Sequence, residues 1–208
     1  MSRDGVGELG RSEVARLLVA AGAVELRVDP ADWFTWSSGK QAPIYCDNRI
    51  LMAFPAERER IADALSAAIA RDFPGAQVIA GTATAGIPHA AWVAERSGLP
   101  MAYVRGAAKE HGRGRRVEGC RLDGKSVVVL EDLISFGGSS LAAVEGVRGE
   151  GGRVLGVQAI FSYGFPEAKR RFEESGVSAR SLSDYDALLE ILDLSPEQTR
   201  VLLDWRGH

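Results

Sequence analysis

Glu131 and Asp132 stand side by side between an apolar run, Val127-Val128-Val129-Leu130, and a glycine- and serine-rich turn, Ser135-Phe136-Gly137-Gly138-Ser139-Ser140. Two adjacent carboxylates can accept hydrogen bonds from the hydroxyls of a vicinal diol. Glycines let the backbone approach a ligand closely. The helical pattern that begins near Leu141 would point successive N–H groups and a helix N-terminus at an anion. The hydroxyls of Ser135, Ser139 and Ser140 can add donors. The ligand that suits all of these parts has a phosphate at one end and a vicinal diol next to it, as a phosphoribosyl group does.

These residues need a frame. The run 127–130 is short, β-branched and free of polar alternation, so it reads as a strand buried on both faces. A strand at 78–81 leads into a second small-residue turn, Thr82-Ala83-Thr84-Ala85-Gly86, which again permits close backbone approach to an anion. A strand at 101–105 leads into residues 106–119, where Lys109, His111, Arg113, Arg115 and Arg116 face Glu110 and Glu118 with no helical or strand period. A charge run is by default a solvated loop. Beside a phosphate turn, the favoured reading is a lid that brings cations onto a polyanion and excludes water. His89 is read as structural.

Further elements are a helix capped by Ser12, strands at 24–28, at 44–46 and at 154–161, and a helix opened by Pro55. Ser183 or Asp184 caps a later helix, and Ser195-Pro196-Glu197 starts the last, with a loose tail over 205–208. Alternating strands and helices give an α/β fold with a central, mostly parallel sheet flanked by helices. Ligands of such sheets sit beyond the carboxyl ends of the strands. The loops after Gly81, Arg105 and Leu130 all belong to that edge.

Composition excludes several classes. The 208 residues suit a single domain. A net charge of −3 gives no general attraction to nucleic acid or membranes. The first ten residues lack the apolar core of a signal peptide, and no stretch approaches a membrane span. Cys46 and Cys120 are the only cysteines and lie in no metal-ligand spacing, so a cytoplasmic protein with reduced thiols is expected. Residues 119–126 match the Walker A pattern letter for letter. That motif must follow a strand and open a helix, whereas here it runs into the strand at Val127, so a nucleoside triphosphatase is rejected.

The acid pair and the Gly-Gly-Ser turn resemble the phosphoribosyl pyrophosphate signature of type I phosphoribosyltransferases. The segment from Trp33 to Arg49 resembles the base-covering hood of the orotate phosphoribosyltransferases through Phe34, Thr35, Ser38, Gly39 and Pro43, continuing into Tyr45-Cys46-Asp47-Asn48-Arg49. Arg105, Lys109, His111 and Gly112 resemble that family's catalytic loop. The chain departs from the family at Ser37, where some members have Lys, and at Gly106, where several have a second Lys. It departs again at Phe136, where many have a hydroxyl, and at Ser162-Tyr163, where some have an Arg for the orotate carboxylate. No lysine role passes to Lys40.

The resemblance implies one type I phosphoribosyltransferase domain over 1–208, with a hood over about 24–50 and a mobile catalytic loop over 105–119. It implies catalytic roles for Lys109, His111, Glu131 and Asp132. It implies binding of phosphoribosyl pyrophosphate by these four with Arg105, Leu133, Ile134, Ser135, Phe136, Gly137, Gly138 and Ser139. Pyrophosphate falls to Thr82, Ala83, Thr84, Ala85 and Gly86, and orotate to Ser135, Ser38 and Gly39. Mg2+ is expected as cofactor, held mainly by phosphoribosyl pyrophosphate and not directly by the protein. A homodimer is expected, with no nucleic-acid or membrane partner. The implied reaction makes orotidine 5′-monophosphate and pyrophosphate in pyrimidine synthesis. Two alternatives stand beside it: transfer to a purine base, and a regulator that senses phosphoribosyl pyrophosphate without turning it over. If the lid supplies charge to the leaving group, Lys109→Ala will lower turnover on the order of 100-fold. Its thermal unfolding will stay close to wild type, and near-normal turnover in steady-state assays would contradict the lid.

Overall fold

The structure, a computed structural model, describes residues 9–36, 39–106 and 116–207. Helix α1 (Arg11–Ala20) is followed by β1 (Val24–Leu26), β2 (Phe34–Thr35), β3 (Gln41–Ala42) and β4 (Ile44–Cys46). A 3-10 turn (Asn48–Ala53) then leads into α2 (Pro55–Asp72), β5 (Val78–Thr82), α3 (Gly86–Ser97), β6 (Met101–Val104) and β7 (Val117–Gly119). The second half comprises β8 (Ser126–Ile134), α4 (Gly138–Gly149), β9 (Arg153–Ser162), α5 (Pro166–Glu174), β10 (Ala179–Asp184), α6 (Tyr185–Ile191) and α7 (Pro196–Gly207).

The main sheet has the order β10-β9-β8-β5-β6-β7. Its neighbours pair in parallel, except that β7 runs antiparallel to β6 at the edge. The chain steps from β5 to β6 on one side and then returns to place β8 on the other side of β5. That reversal opens a crevice at the carboxyl ends of β5 and β8, the place where sheets of this kind bind ligands. Every residue of β5 and the first six of β8 are buried, with the apolar run 127–130 at the centre of the sheet. Ahead of the sheet, β1 pairs antiparallel with β4 and β2 with β3, giving the N-terminal segment two small ribbons of its own.

Several local expectations shift. Strand β8 extends through Ile134, so Glu131 and Asp132 lie within it and not after it. Helix α4 starts at Gly138, ahead of Leu141, because Gly137 adopts φ 74° and turns the chain early. A side chain at Gly137 would also meet the Phe172 ring at 2.8 Å. Helix α1 is capped at Gly10, whose N–H donates to Glu13 Oε2 at 2.7 Å. The Ser12 hydroxyl reaches Glu190 instead. Asp184 caps α6 through the Ala187 N–H at 2.9 Å, as expected. The Walker-like segment turns at Asp123-Gly124 and enters β8 directly. Among the described residues no helix is long and apolar enough to cross a membrane.

The C-terminal tail is the largest difference. Trp205 lies in α7, is 5% exposed, and donates its indole N–H to the Gln41 carbonyl at 2.8 Å. Its ring packs against Trp36, Phe165 and Tyr185 at centroid distances of 5.5, 5.2 and 5.7 Å. The last helix thus buttresses β3 and the N-terminal ribbons. Trp205→Ala removes a buried aromatic and leaves a carbonyl unpartnered, so urea unfolding will show a loss of about 3–5 kcal/mol. A loss below about 0.5 kcal/mol, the range of ordinary surface substitutions, would contradict this packing.

Candidate active site

Glu131 is 4% exposed at the carboxyl end of β8. A buried carboxyl needs partners, and it takes them from the turn beyond the strand. Its Oε2 accepts from Ser139 Oγ at 3.0 Å and from Ser140 Oγ at 3.1 Å, and its Oε1 from the Asp132 N–H at 3.3 Å. Burial, and then the neighbouring charge of Asp132, push the Glu131 carboxyl up to about 8. Burial also raises Asp132, opposed by hydrogen bonding from Glu131 and by the charge of Arg49. The Ser139 and Ser140 hydroxyls point back to Glu131, leaving the backbone N–H groups at the start of α4 as the donors open to an anion.

The turn itself is braced from outside. Arg171 on α5 donates through Nη1 to the Phe136 carbonyl at 2.9 Å. The Phe136 ring stacks on Phe165 with centroids 4.7 Å apart and planes at 12°. Where a hydroxyl would have offered a further donor, this chain gains an aromatic contact to the segment between β9 and α5.

The second turn sits across the crevice. Thr82 closes β5 with its hydroxyl buried and without a hydrogen-bond partner. Ala83 and Ala85 are half-buried, Thr84 is exposed, and the Ala83–Thr84 peptide is cis. Gly86 opens α3 against β8, where an added Cβ would lie 2.5 Å from the Leu130 carbonyl. Only glycine allows the start of α3 to come this close to β8. His89, one turn into α3, is buried edge-on against Trp92 at 5.3 Å, and burial pushes its imidazole down to about 4. It is neutral at physiological pH, consistent with a structural role.

Arg105 follows β6 on the same edge. Its N–H donates to the Arg116 carbonyl, and its guanidinium lies 3.9 Å from Glu118. Lys109, His111 and Ser38 lie outside the described residues. Gly39 is exposed in the turn between β2 and β3 with φ 83° and donates to the Trp36 carbonyl at 2.8 Å.

Between the N-terminal ribbons and the end of β8 is a cavity of about 290 Å³, lined by Thr35, Trp36, Tyr45, Cys46, Leu133, Ser135 and Tyr163. Ser135 is shared between this cavity and the Gly-Gly-Ser turn, so one residue joins the two. Ile134 and Leu133 complete the strand between them. A larger cavity of about 470 Å³ lies between α5 and β10 and includes neither acid. Sequence reasoning missed Tyr163, whose hydroxyl accepts from the Cys46 N–H at 3.0 Å and whose own N–H donates to Ile134 O at 3.0 Å. Its place just past the end of β9 was the available signal. It also missed Asn48, whose side chain reaches the Asp132 carbonyl at 2.7 Å. Lys40 lies 5.4–6.0 Å from the Phe136, Phe165 and Trp205 ring centroids. Among the described residues no three His, Cys, Asp or Glu side chains converge on one point.

No protein-family model matches the chain. It is 50% identical over 202 residues to the orotate phosphoribosyltransferase of Bacillus caldolyticus, covering 95% of this chain and 97% of that one. It is 47% identical over 208 residues to the enzyme of the same name from Fusobacterium nucleatum, covering 98% of both. Among solved structures, orotate phosphoribosyltransferase from Aeropyrum pernix superposes with a TM-score of 0.73 at 30% identity, over 85% of this chain and 96% of that one.

The Glu131 carboxyl has an ordinary value of 4.5 and rises to about 8 in the fold. Between those values the folded protein binds more protons than the unfolded chain, so stability must fall as pH rises. Glu131→Gln removes that contribution. Urea midpoints at pH 5 and pH 8.5, values that bracket the interval to within about a unit, will fall more for wild type than for the variant. Equal falls would contradict the assignment.

Proposed function

The chain belongs to the orotate phosphoribosyltransferase family, and on that premise we propose the part that each residue plays in the transfer. The enzyme moves the phosphoribosyl group of 5-phosphoribosyl 1-pyrophosphate to orotate, giving orotidine 5′-monophosphate and pyrophosphate. The observation that carries the assignment of roles is the convergence of two anion-type turns with buried Glu131 and half-buried Asp132 at the β5–β8 crevice, beside a cavity that shares Ser135 with the phosphate turn.

The 5′-phosphate docks on the backbone N–H groups of residues 137–140. Asp132 holds the ribose hydroxyls, and Glu131 braces the turn through Ser139 and Ser140. Residues 82–86 receive the pyrophosphate across the crevice. Orotate enters the cavity under the hood, against Ser135 and the backbone near Ser38 and Gly39. Lys109, His111 and Arg105 bring positive charge to the leaving group. Breaking the anomeric C–O bond develops positive charge on the ribose and negative charge on pyrophosphate. The acid pair favours the first, and the lid cations favour the second. Anchoring the phosphate spends remote binding energy on orienting the reacting carbon.

The chain supplies adjacent carboxyls but, among the described residues, no three-ligand cluster. That donor set suits a Mg2+ ion coordinated mainly by the pyrophosphate-bearing substrate, within reach of Asp132. Bound there, the ion would neutralise charge on the leaving group. We further propose a single domain with a hood over about 24–50 and a catalytic loop over 105–119, a homodimer, and a cytoplasmic setting. The absence of a membrane-crossing helix among the described residues is compatible with that setting.

Orotate consumption followed in the ultraviolet, with phosphoribosyl pyrophosphate and Mg2+, tests the reading beside parallel assays of adenine, hypoxanthine and uracil. Orotate alone will be consumed, and chelating Mg2+ will stop the reaction. Use of another base would contradict the placement of the base site. Transfer that survives chelation would contradict the metal.

A further inference from the structure

We propose that Asn48 is a positioning residue that fixes the backbone of Asp132 and thereby makes recognition of the ribose depend on the hood. This rests on the reading of Asp132 as the ribose ligand. Asn48 is fully buried at the start of the 3-10 turn between β4 and α2. Its Nδ2 donates to the Asp132 carbonyl at 2.7 Å, and its Oδ1 faces Cys46 Sγ at 3.3 Å. A side-chain amide carries one donor group and one acceptor, and here each meets the complementary partner.

Asn48 meets this carbonyl beyond the paired part of β5 and β8. The last residue pair between β5 and β8 is Gly81 with Leu130. Beyond it, β8 continues through the acid pair with no β5 neighbour. The backbone around Asn48 is held in place: Asp47 Oδ1 accepts from the Arg49 N–H at 3.0 Å, and the Asp47 N–H donates to Ala23 O at 2.8 Å. Cys46, two residues earlier, lines the base cavity and is tied through its N–H to Tyr163. One short segment therefore forms a wall of the base cavity and sets the peptide that carries Asp132.

Aspartate at this position would oppose an acceptor to a carbonyl oxygen and add charge beside an acid pair. Alanine would leave the carbonyl unpartnered in a buried site. Either change frees the Asp132 peptide without touching the phosphate turn. The loss should therefore fall on discrimination of the ribose hydroxyls and not on binding in general.

Isothermal titration with orotidine 5′-monophosphate and its 2′-deoxy and 3′-deoxy counterparts tests this on the whole protein. Wild type will prefer the ribose form over at least one deoxy form. In Asn48→Ala that preference will shrink about tenfold, the equivalent of one charge-assisted hydrogen bond. Asn48→Asp, which keeps the side-chain shape, will show the same shrinkage if Asn48→Ala does not fold. An unchanged preference, including an equal weakening of all three ligands, would overturn the proposal and leave Asn48 a structural residue. No preference in wild type would remove Asp132 from the ribose and take the proposal with it, while leaving orotate transfer itself intact.

Discussion

The rest of the site depends on one buried carboxyl, that of Glu131. It lies within β8, 4% exposed, where an unpartnered carboxylate would be costly. Its nearest donors are two serine hydroxyls in the first turn of α4. Satisfying the acid therefore fixes where that helix begins, and the helix start fixes where its unpaired N–H groups point. The left-handed glycine at 137 makes this geometry possible, since the chain must turn sharply to return the serines to the strand. Arg171 and the Phe136–Phe165 stack then hold the outer side of the turn.

A second frame holds the base cavity. The N-terminal ribbons are too small to be stable alone. They are kept in place by an aromatic cluster in which Trp36 meets Tyr163, Phe165 and Trp205. Trp36 and Trp205 also donate their indole N–H groups to Ile44 O and Gln41 O. Through these contacts the end of the chain supports its beginning. Lys40 lies over three of the rings, so the turn of the second ribbon faces the phosphate turn across aromatic surface. Asp132, the proposed ribose ligand, is joined to this frame through Asn48. The proposed phosphate, ribose and base subsites thus rest on different elements but share Ser135, Asp132 and their immediate neighbours.

Much of this was legible in the sequence where the signal is local. The apolar run before Glu131, the glycines of the two turns, the Asp184 cap and the Pro55 helix start all act within a few residues of themselves. The rejection of the Walker-like segment held for the same reason, because it depends only on the strand that begins at Ser126. The features that were not legible join residues far apart in the chain. The Asn48–Asp132 bond spans 84 positions and the Trp205–Gln41 bond 164. A terminal Trp-Arg-Gly-His carries no local mark of burial, so the tail read as loose. The serines of the turn were read as phosphate donors because nothing nearby says that a buried acid would claim them. Residues 107–115, on which the lid reading rests, lie outside the described structure.

The central claim, that a buried Glu131 carboxyl organises the phosphate turn, is tested most directly by its own titration. Carbon-13 NMR of glutamate side-chain carboxyls, with Glu131→Gln to identify the resonance, reads it without reference to activity. The account predicts that this carboxyl titrates well above its ordinary 4.5 in the free protein, raised by burial and by the neighbouring Asp132. Titration of every glutamate near 4.5 would mean that the acid is solvated and that the serines are not held by it.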